Sequence, residues 1–213
     1  MAADDRGLKL LGIAKRLEAI AHTGLSFTES EYDRERYREL SELSGALMHH
    51  ISDTPLSVIQ NLFQEERDGY KTPKVDVRGV VFNDLGEILL VQERDNQLWA
   101  LPGGWADIGF SPKEVVVKEV HEEAGIIVAA DRVLAILDKK NHPHPPEPWY
   151  AYKIFIQCRI IEGTLADNTT ETVAAQFFSR TNLPKLSENR NTRGQVEMMF
   201  SFLDNPERDV CCE

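Results

Sequence analysis

The stretch from Leu101 to Val128, LPGGWADIGFSPKEVVVKEVHEEAGIIV, restricts the fold of this chain more than any other. Ser111, Pro112 and Glu114 make an S-x-x-E capping box with proline at the first helical position, so a helix is expected from about Pro112. Gly125 closes it as the residue just past the helix end. Glu119 and Glu123 are four apart and share one stripe, with roughly 6 Å between their Cβ atoms, and Glu122 flanks that stripe. Val116, Val117, Val120 and Ala124 turn a neighbouring face inward. Acids in the second half of a helix oppose its dipole, and like charges four apart repel by a few tenths of a kcal/mol. A solvated acidic face is the plain reading. The sharper one is a hard-cation site, because Mg²⁺ takes carboxylate oxygens together with substrate phosphate oxygens. Gly103 and Gly104, just before the helix, let the backbone approach a ligand closely, and the unfavourable placement of the acids favours the cation.

The rest of the chain divides by hydrophobic period. Leu10, Ile13, Ala14, Leu17 and Ala21 form one helical stripe, and Tyr37, Leu40, Ser44, Leu47, Met48 and Ile51 form a second. SDTPLSVIQNLF is a third helix with Thr54 as N-cap and Pro55 at its first position. Gly69 and Pro73 break the pattern. The expected organisation is a helical domain over 1–68, a linker at 69–73, an α/β domain over 74–205 and a tail at 206–213. A helical part this small has little core of its own and is expected to pack on something else, a second copy being one candidate.

Beyond the linker the period becomes two. KVDVRGVVF and EILLVQER flank NDLG as a hairpin turning at Gly86, LWALP is a short strand, and RVLAILD, WYAYKIFIQCRII and AAQFFS are further strands. NTRGQVEMMFSFL is a closing helix. Strands interrupted by one strong helix and closed by another indicate helices packed on a mixed sheet. The chain carries 35 acids against 24 bases, a net charge of −11, which disfavours nucleic acid and any phosphate ester unless a cation reverses the local sign. No apolar run spans a bilayer, no secretory signal opens the chain, and the three cysteines lack framework spacing, so cytosol is the expected address.

From Gly104 the sequence resembles the Nudix box, G-x5-E-x7-R-E-U-x-E-E-x-G-U with U a bulky apolar residue. Gly104, Glu119, Val120, Glu122, Glu123, Gly125 and Ile126 match at the family's spacing. The resemblance implies an α/β/α sandwich with a mixed sheet, and hydrolysis of the diphosphate bond of a nucleoside diphosphate linked to another moiety. It also implies Mg²⁺, replaceable by Mn²⁺, with Glu119 and Glu123 as direct ligands, Glu122 as a further or water-bridged ligand, and the Gly103 carbonyl completing the set. The chain departs from the box twice: Phe110 stands where it has glutamate and Lys118 where it has arginine. A Glu114–Lys118 helical pair and packing of Phe110 are the expected replacements for that brace. KTPKVDVRGVVF, LWALPGGWADIG and HPHPP resemble a bacterial subgroup with a helical N-terminal extension, labelled ADP-ribose or CDP-choline pyrophosphatases.

Glu122 is one candidate for the general base; Glu171, in DNTTETVA, is another, because the resemblance implies a base recruited from outside the box, and a solvated loop acid is its plain reading. Arg78 shares a strand face with Asp76, and either holds a substrate phosphate or pairs with that acid. Gly104, His142, His144 and Trp149 are candidates for contact with the substrate. His121, His49 and His50 read as surface or scaffold. Two function classes follow: a Mg²⁺-dependent pyrophosphohydrolase working as a homodimer, or a weakened Nudix module that binds nucleotide as a sensor. Within the enzyme class a MutT-like triphosphatase is a further possibility.

Overall fold

The computed structural model describes residues 5–52, 54–59 and 71–213, with the side chains of 5, 6 and 8 excepted. It has two compact units, one of residues 1–73 with 145–150, the other of 74–144 with 151–213.

The first unit is built on an antiparallel-reading helix pair, α1 (Asp5–Phe27) and α2 (Glu31–Ile51). Ser30 caps α2 by accepting from Asp33 N–H. Leu11, Ala14 and Met48 pack with Ile59 into a small core, and the Ser44 hydroxyl donates to the Ala14 carbonyl at 2.7 Å. The buried side of α1 runs through Leu11, Ala14, Glu18 and Ala21, whereas Leu10 and Ile13 are exposed. The expected stripe is therefore rotated, because α2 packs against the small residues and leaves the larger ones outside. The expected third helix is seen over 56–59; the rest of it, and the linker as far as residue 70, lie outside the described residues.

The second unit holds two sheets. One has the order β1-β5-β4-β7 and the other β3-β2-β6, from β1 (Lys74–Val81), β2 (Ile88–Glu93), β3 (Trp99–Ala100), β4 (Ile127–Asp138), β5 (Ala151–Glu162), β6 (Thr172–Phe178) and β7 (Cys211–Cys212). Helices α3 (Pro112–Ala124) and α4 (Arg193–Asp204) complete it. Strand parity assigns the two cores. Val77, Val81, Leu89 and Val91 pack with Val116, Val120 and Ala124 of α3, while Val80, Ile88, Leu90 and Phe155 pack with Val196, Met199 and Phe200 of α4. This is the mixed-sheet layer arrangement expected.

The expected hairpin is only partly formed. Asn83 and Gly86 make the turn, with Gly86 N–H donating to the Asn83 carbonyl at 3.0 Å, but a single bridge, Phe82 to Ile88, joins the arms. Both strands are buried on two faces and find longer partners elsewhere: β1 runs parallel to β5 and β2 antiparallel to β6. The tail also adds β7, parallel to β4.

Candidate metal centre

Helix α3 starts and stops where its sequence requires. Ser111 and Glu114 form a reciprocal capping box, Pro112 opens the first turn, and Gly125 caps the end in the left-handed region at φ 78°. Val116 and Val120 anchor it to β1, so the Glu119–Glu123 stripe is fixed relative to the sheet. The loop 102–106 lies along β1. Gly79 N–H donates to the Pro102 carbonyl, Val77 N–H to Gly104 and Ala106 N–H to Val75, each at 2.8 Å. Gly103 presses on that strand at φ 141°, where a Cβ would stand 2.0 Å from the Val77 oxygen. Only glycine fits. Its N–H then points at Glu123 and donates to Oε2 at 2.8 Å.

The third acid arrives from the other side. Glu171 immediately precedes β6, and the Thr172 hydroxyl donates to the Glu123 carbonyl at 2.7 Å, tying the start of β6 to the end of α3. Arg94 clamps the loop before it, donating to the carbonyls of Thr169 at 2.5 Å, Thr170 at 3.2 Å and Thr172 at 3.1 Å. Glu119, Glu123 and Glu171 thereby offer carboxylate oxygens within 4.8 Å of one another. Burial pushes the Glu123 carboxyl up to about 7, reinforced by Glu119 and Glu171 and opposed by Arg78 and the Gly103 N–H. Burial also raises Glu119, with Lys118 opposing it. Three hard oxygen donors that resist sharing one spot unless a cation joins them suit Mg²⁺.

Glu122 is not in this group. Its side chain is half exposed and sits 3.5 Å from Lys118. Lys118 also lies 3.6 Å from both Asp107 and Glu119, so it ties the glycine-rich loop to the helix as the family's arginine would. Neither expected brace forms. Glu114 is used by Ser111, whose N–H and hydroxyl both donate to it, and Phe110 is 51% exposed. Between the two readings of Arg78, the pair with Asp76 is the one made. Arg78 is 3% exposed, holds Asp76 at 2.7 Å, and donates to the Leu101 carbonyl at 3.1 Å; the buried Lys153 ammonium is the acid's second partner. An arginine so enclosed cannot meet a phosphate without leaving its partners.

No histidine joins the carboxylate group among the described residues. His144 is buried, with Nδ1 2.6 Å from the Glu188 carbonyl, and burial drives its pKa down to about 3, so the ring is neutral. His142 Nε2 lies 3.3 Å from a Glu213 oxygen. Trp149 belongs to the first unit, where its carbonyl accepts from Lys15 at 2.8 Å. His121 is exposed. Arg94 and Thr172 were not anticipated: their partners are distant in sequence, and neither belongs to a motif.

Residues 72–200 match the NUDIX domain family, and residues 8–63 match a family described as a UDP-X-like, N-terminal oligomerisation domain. The Bacillus subtilis protein YjhB, assigned by name as an ADP-ribose pyrophosphatase, is 48% identical over 200 residues, which cover 94% of this chain and 95% of that one. The crystal structure of an ADP-ribose pyrophosphatase from Streptococcus suis is 44% identical, with TM-score 0.60, over 67% of this chain and 100% of that one. The crystal structure of a UDP-X diphosphatase is 31% identical, with TM-score 0.62, over 97% of this chain and 99% of that one.

Proposed function

The chain belongs to the Nudix hydrolase family, and from that premise we propose a Mg²⁺-dependent pyrophosphohydrolase that cleaves a nucleoside diphosphate derivative of the ADP-ribose or CDP-choline type. The observation that carries the reading is the convergence of Glu119, Glu123 and Glu171 from two separate elements. A helix face that was merely solvated would not recruit a third acid from a loop held in place by Arg94 and Thr172.

Glu119 and Glu123 would hold the cation, with Mn²⁺ able to replace Mg²⁺. Bound there, it would supply charge neutralisation for the diphosphate and acidify a coordinated water. The chain's own groups do the rest. Gly103 N–H fixes one oxygen of Glu123, Lys118 holds the loop to the helix, and a carboxylate oxygen of Glu171 accepts a proton from the attacking water. Glu122, outside the group and beside Lys118, is the alternative base. For the second moiety of the substrate, His142 and His144 stay as contacts, since His144 Nε2 is buried without a hydrogen-bond partner among the described residues; Trp149, in the first unit, is kept as a separate candidate on the same ground at its Nε1. A cytosolic setting and a homodimer belong to the same proposal. Free thiols at Cys158, Cys211 and Cys212 suit the first, and the match to an oligomerisation domain supports the second.

The test is product release from ADP-ribose, CDP-choline, UDP-linked sugars and nucleoside triphosphates, with Mg²⁺, Mn²⁺ or EDTA. Metal-dependent turnover of a diphosphate, lost in Glu123→Gln, is expected. Nucleotide binding without turnover would favour the sensor, and preference for triphosphates would favour a MutT-like activity.

A further inference from the structure

The loop after β4 carries two imidazoles, and each is held on one side by an oxygen that can only accept. His144 Nδ1 lies 2.6 Å from the Glu188 carbonyl. The proton is therefore on Nδ1, and Nε2 of the neutral ring holds a lone pair. Burial keeps that ring neutral, and the charges of Lys139 and Lys153 reinforce it. His144 is 7% exposed, and its Nε2 is buried without a hydrogen-bond partner among the described residues. A buried lone pair is costly until a donor meets it.

The second ring is set by the end of the chain. Strand β7 pairs with β4, and Glu213 continues it, donating its N–H to the Ile136 carbonyl at 3.1 Å. The Glu213 carboxylate turns onto the loop. Its Oε2 accepts from Asp138 N–H at 3.0 Å and from Asn141 Nδ2 at 3.2 Å, and His142 Nε2 lies 3.3 Å from Oε1. A lone pair facing a carboxylate at that distance is repelled, so Nε2 carries the proton and Nδ1 of the neutral ring is the acceptor. The two ring centroids are 6.4 Å apart, with the planes at 70°. Contacts connect this loop with the metal centre. Lys153, whose charge reaches His144, is paired with Asp76, and Asp76 holds Arg78, which in turn interacts with Glu123.

We propose that His142 and His144 form a subsite that reads hydroxyl donors on the second moiety of the substrate, with Glu213 as the positioning residue that sets the His142 tautomer. Two imidazole acceptors select a group rich in hydroxyls, such as a sugar, whose ring can serve both nitrogens. A choline-type group cannot serve them, because its quaternary nitrogen carries no N–H and its oxygen is esterified. The inference rests on the diphosphate-hydrolase reading above and narrows its substrate to the sugar-linked class.

Long-range ¹H–¹⁵N spectra of the imidazoles at pH 8 read the tautomers without any turnover, each ring assigned by its loss in His142→Phe or His144→Phe. His144 is expected with its proton on Nδ1 and His142 with its proton on Nε2. Glu213→Ala should mix the His142 tautomers and leave those of His144. A proton on His144 Nε2, or His142 shifts unmoved in Glu213→Ala, overturns the proposal. Selection is read from KM in Mg²⁺ for CDP-glucose and CDP-choline, which share a nucleotide and differ only in the second moiety. Wild type should favour the sugar by roughly tenfold or more, and the ratio should collapse toward one in His142→Phe. Equal KM values in wild type overturn the subsite and leave the His144 lone pair to water. Absence of turnover on every substrate fails the hydrolase reading instead, and calorimetric binding of the same pair in EDTA then decides the subsite by the same ratio.

Discussion

Replacing Glu123 with glutamine should stabilise the metal-free protein above neutral pH and abolish its activity. Burial raises the Glu123 carboxyl from 4.5 to about 7 in the folded state. Between those values the native chain keeps a proton that the unfolded chain has released, so stability falls as pH rises and the full deficit stands above about pH 7. At about 1.4 kcal/mol per pH unit that deficit is about 3 kcal/mol. Glutamine preserves the side-chain length and an oxygen to accept the Gly103 N–H, while removing the charge. For a chain of this size, about 3 kcal/mol corresponds to a rise in Tm of roughly 10 °C. Thermal unfolding in EDTA at pH 8 should show that rise, and at pH 4, where wild type is itself protonated, the difference should vanish. Mg²⁺ at a hundredfold over its Kd should then add about 2.7 kcal/mol to wild type and almost nothing to the variant. Equal Tm values at pH 8 in EDTA, or equal gains from Mg²⁺, would refute the assignment of Glu123 as a desolvated ligand.

Gly103→Ala should cost roughly 1–3 kcal/mol in chemical denaturation through its strained φ alone, and turnover should fall with it because the Glu123 contact is displaced. Asp76→Asn leaves Arg78 and Lys153 buried without their counter-charge, so the urea midpoint should drop by the equivalent of roughly 3–5 kcal/mol. His144 has the opposite sign to Glu123. Burial lowers its pKa from 6.5 to about 3, so the unfolded chain binds a proton first, and the contribution of His144 is complete above about pH 6.5 and lost as pH falls toward 3. Between about pH 3 and 4.5, where Glu123 is neutral in both states, wild-type stability should rise with pH more steeply than that of His144→Gln, by about 1.4 kcal/mol per unit.

Local rules made α3 legible. A capping box, a first-turn proline and a terminal glycine are written within a few residues, and the structure follows them from Ser111 to Gly125. The burial parity of β1 and β2 is likewise a local property. What sequence patterning could not give are choices among non-local partners. The arms around NDLG part after one bridge because β5 and β6 offer longer pairings. On α1 the expected stripe and the buried one share Ala14 and Ala21, and only the position of α2 decides that Leu11 is buried and Leu10 is not. At the candidate site the same division holds. Glu119 and Glu123 were legible from helical spacing, whereas Glu171 joins them through Thr172 and Arg94, contacts that close over long separations in the chain. Glu122 was expected at the flank of the stripe, and its contact with Lys118 at 3.5 Å is what helical spacing alone did not give.

The most direct measurement is kcat for ADP-ribose and CDP-choline hydrolysis in Mg²⁺ by wild type, Glu171→Gln and Glu122→Gln. A positioned base contributes roughly 10²–10⁴-fold, so a loss of that size is expected for Glu171→Gln and a change within a few fold for Glu122→Gln. The reverse order, with Glu171→Gln near wild type and Glu122→Gln inactive, would contradict a centre built on Glu119, Glu123 and Glu171.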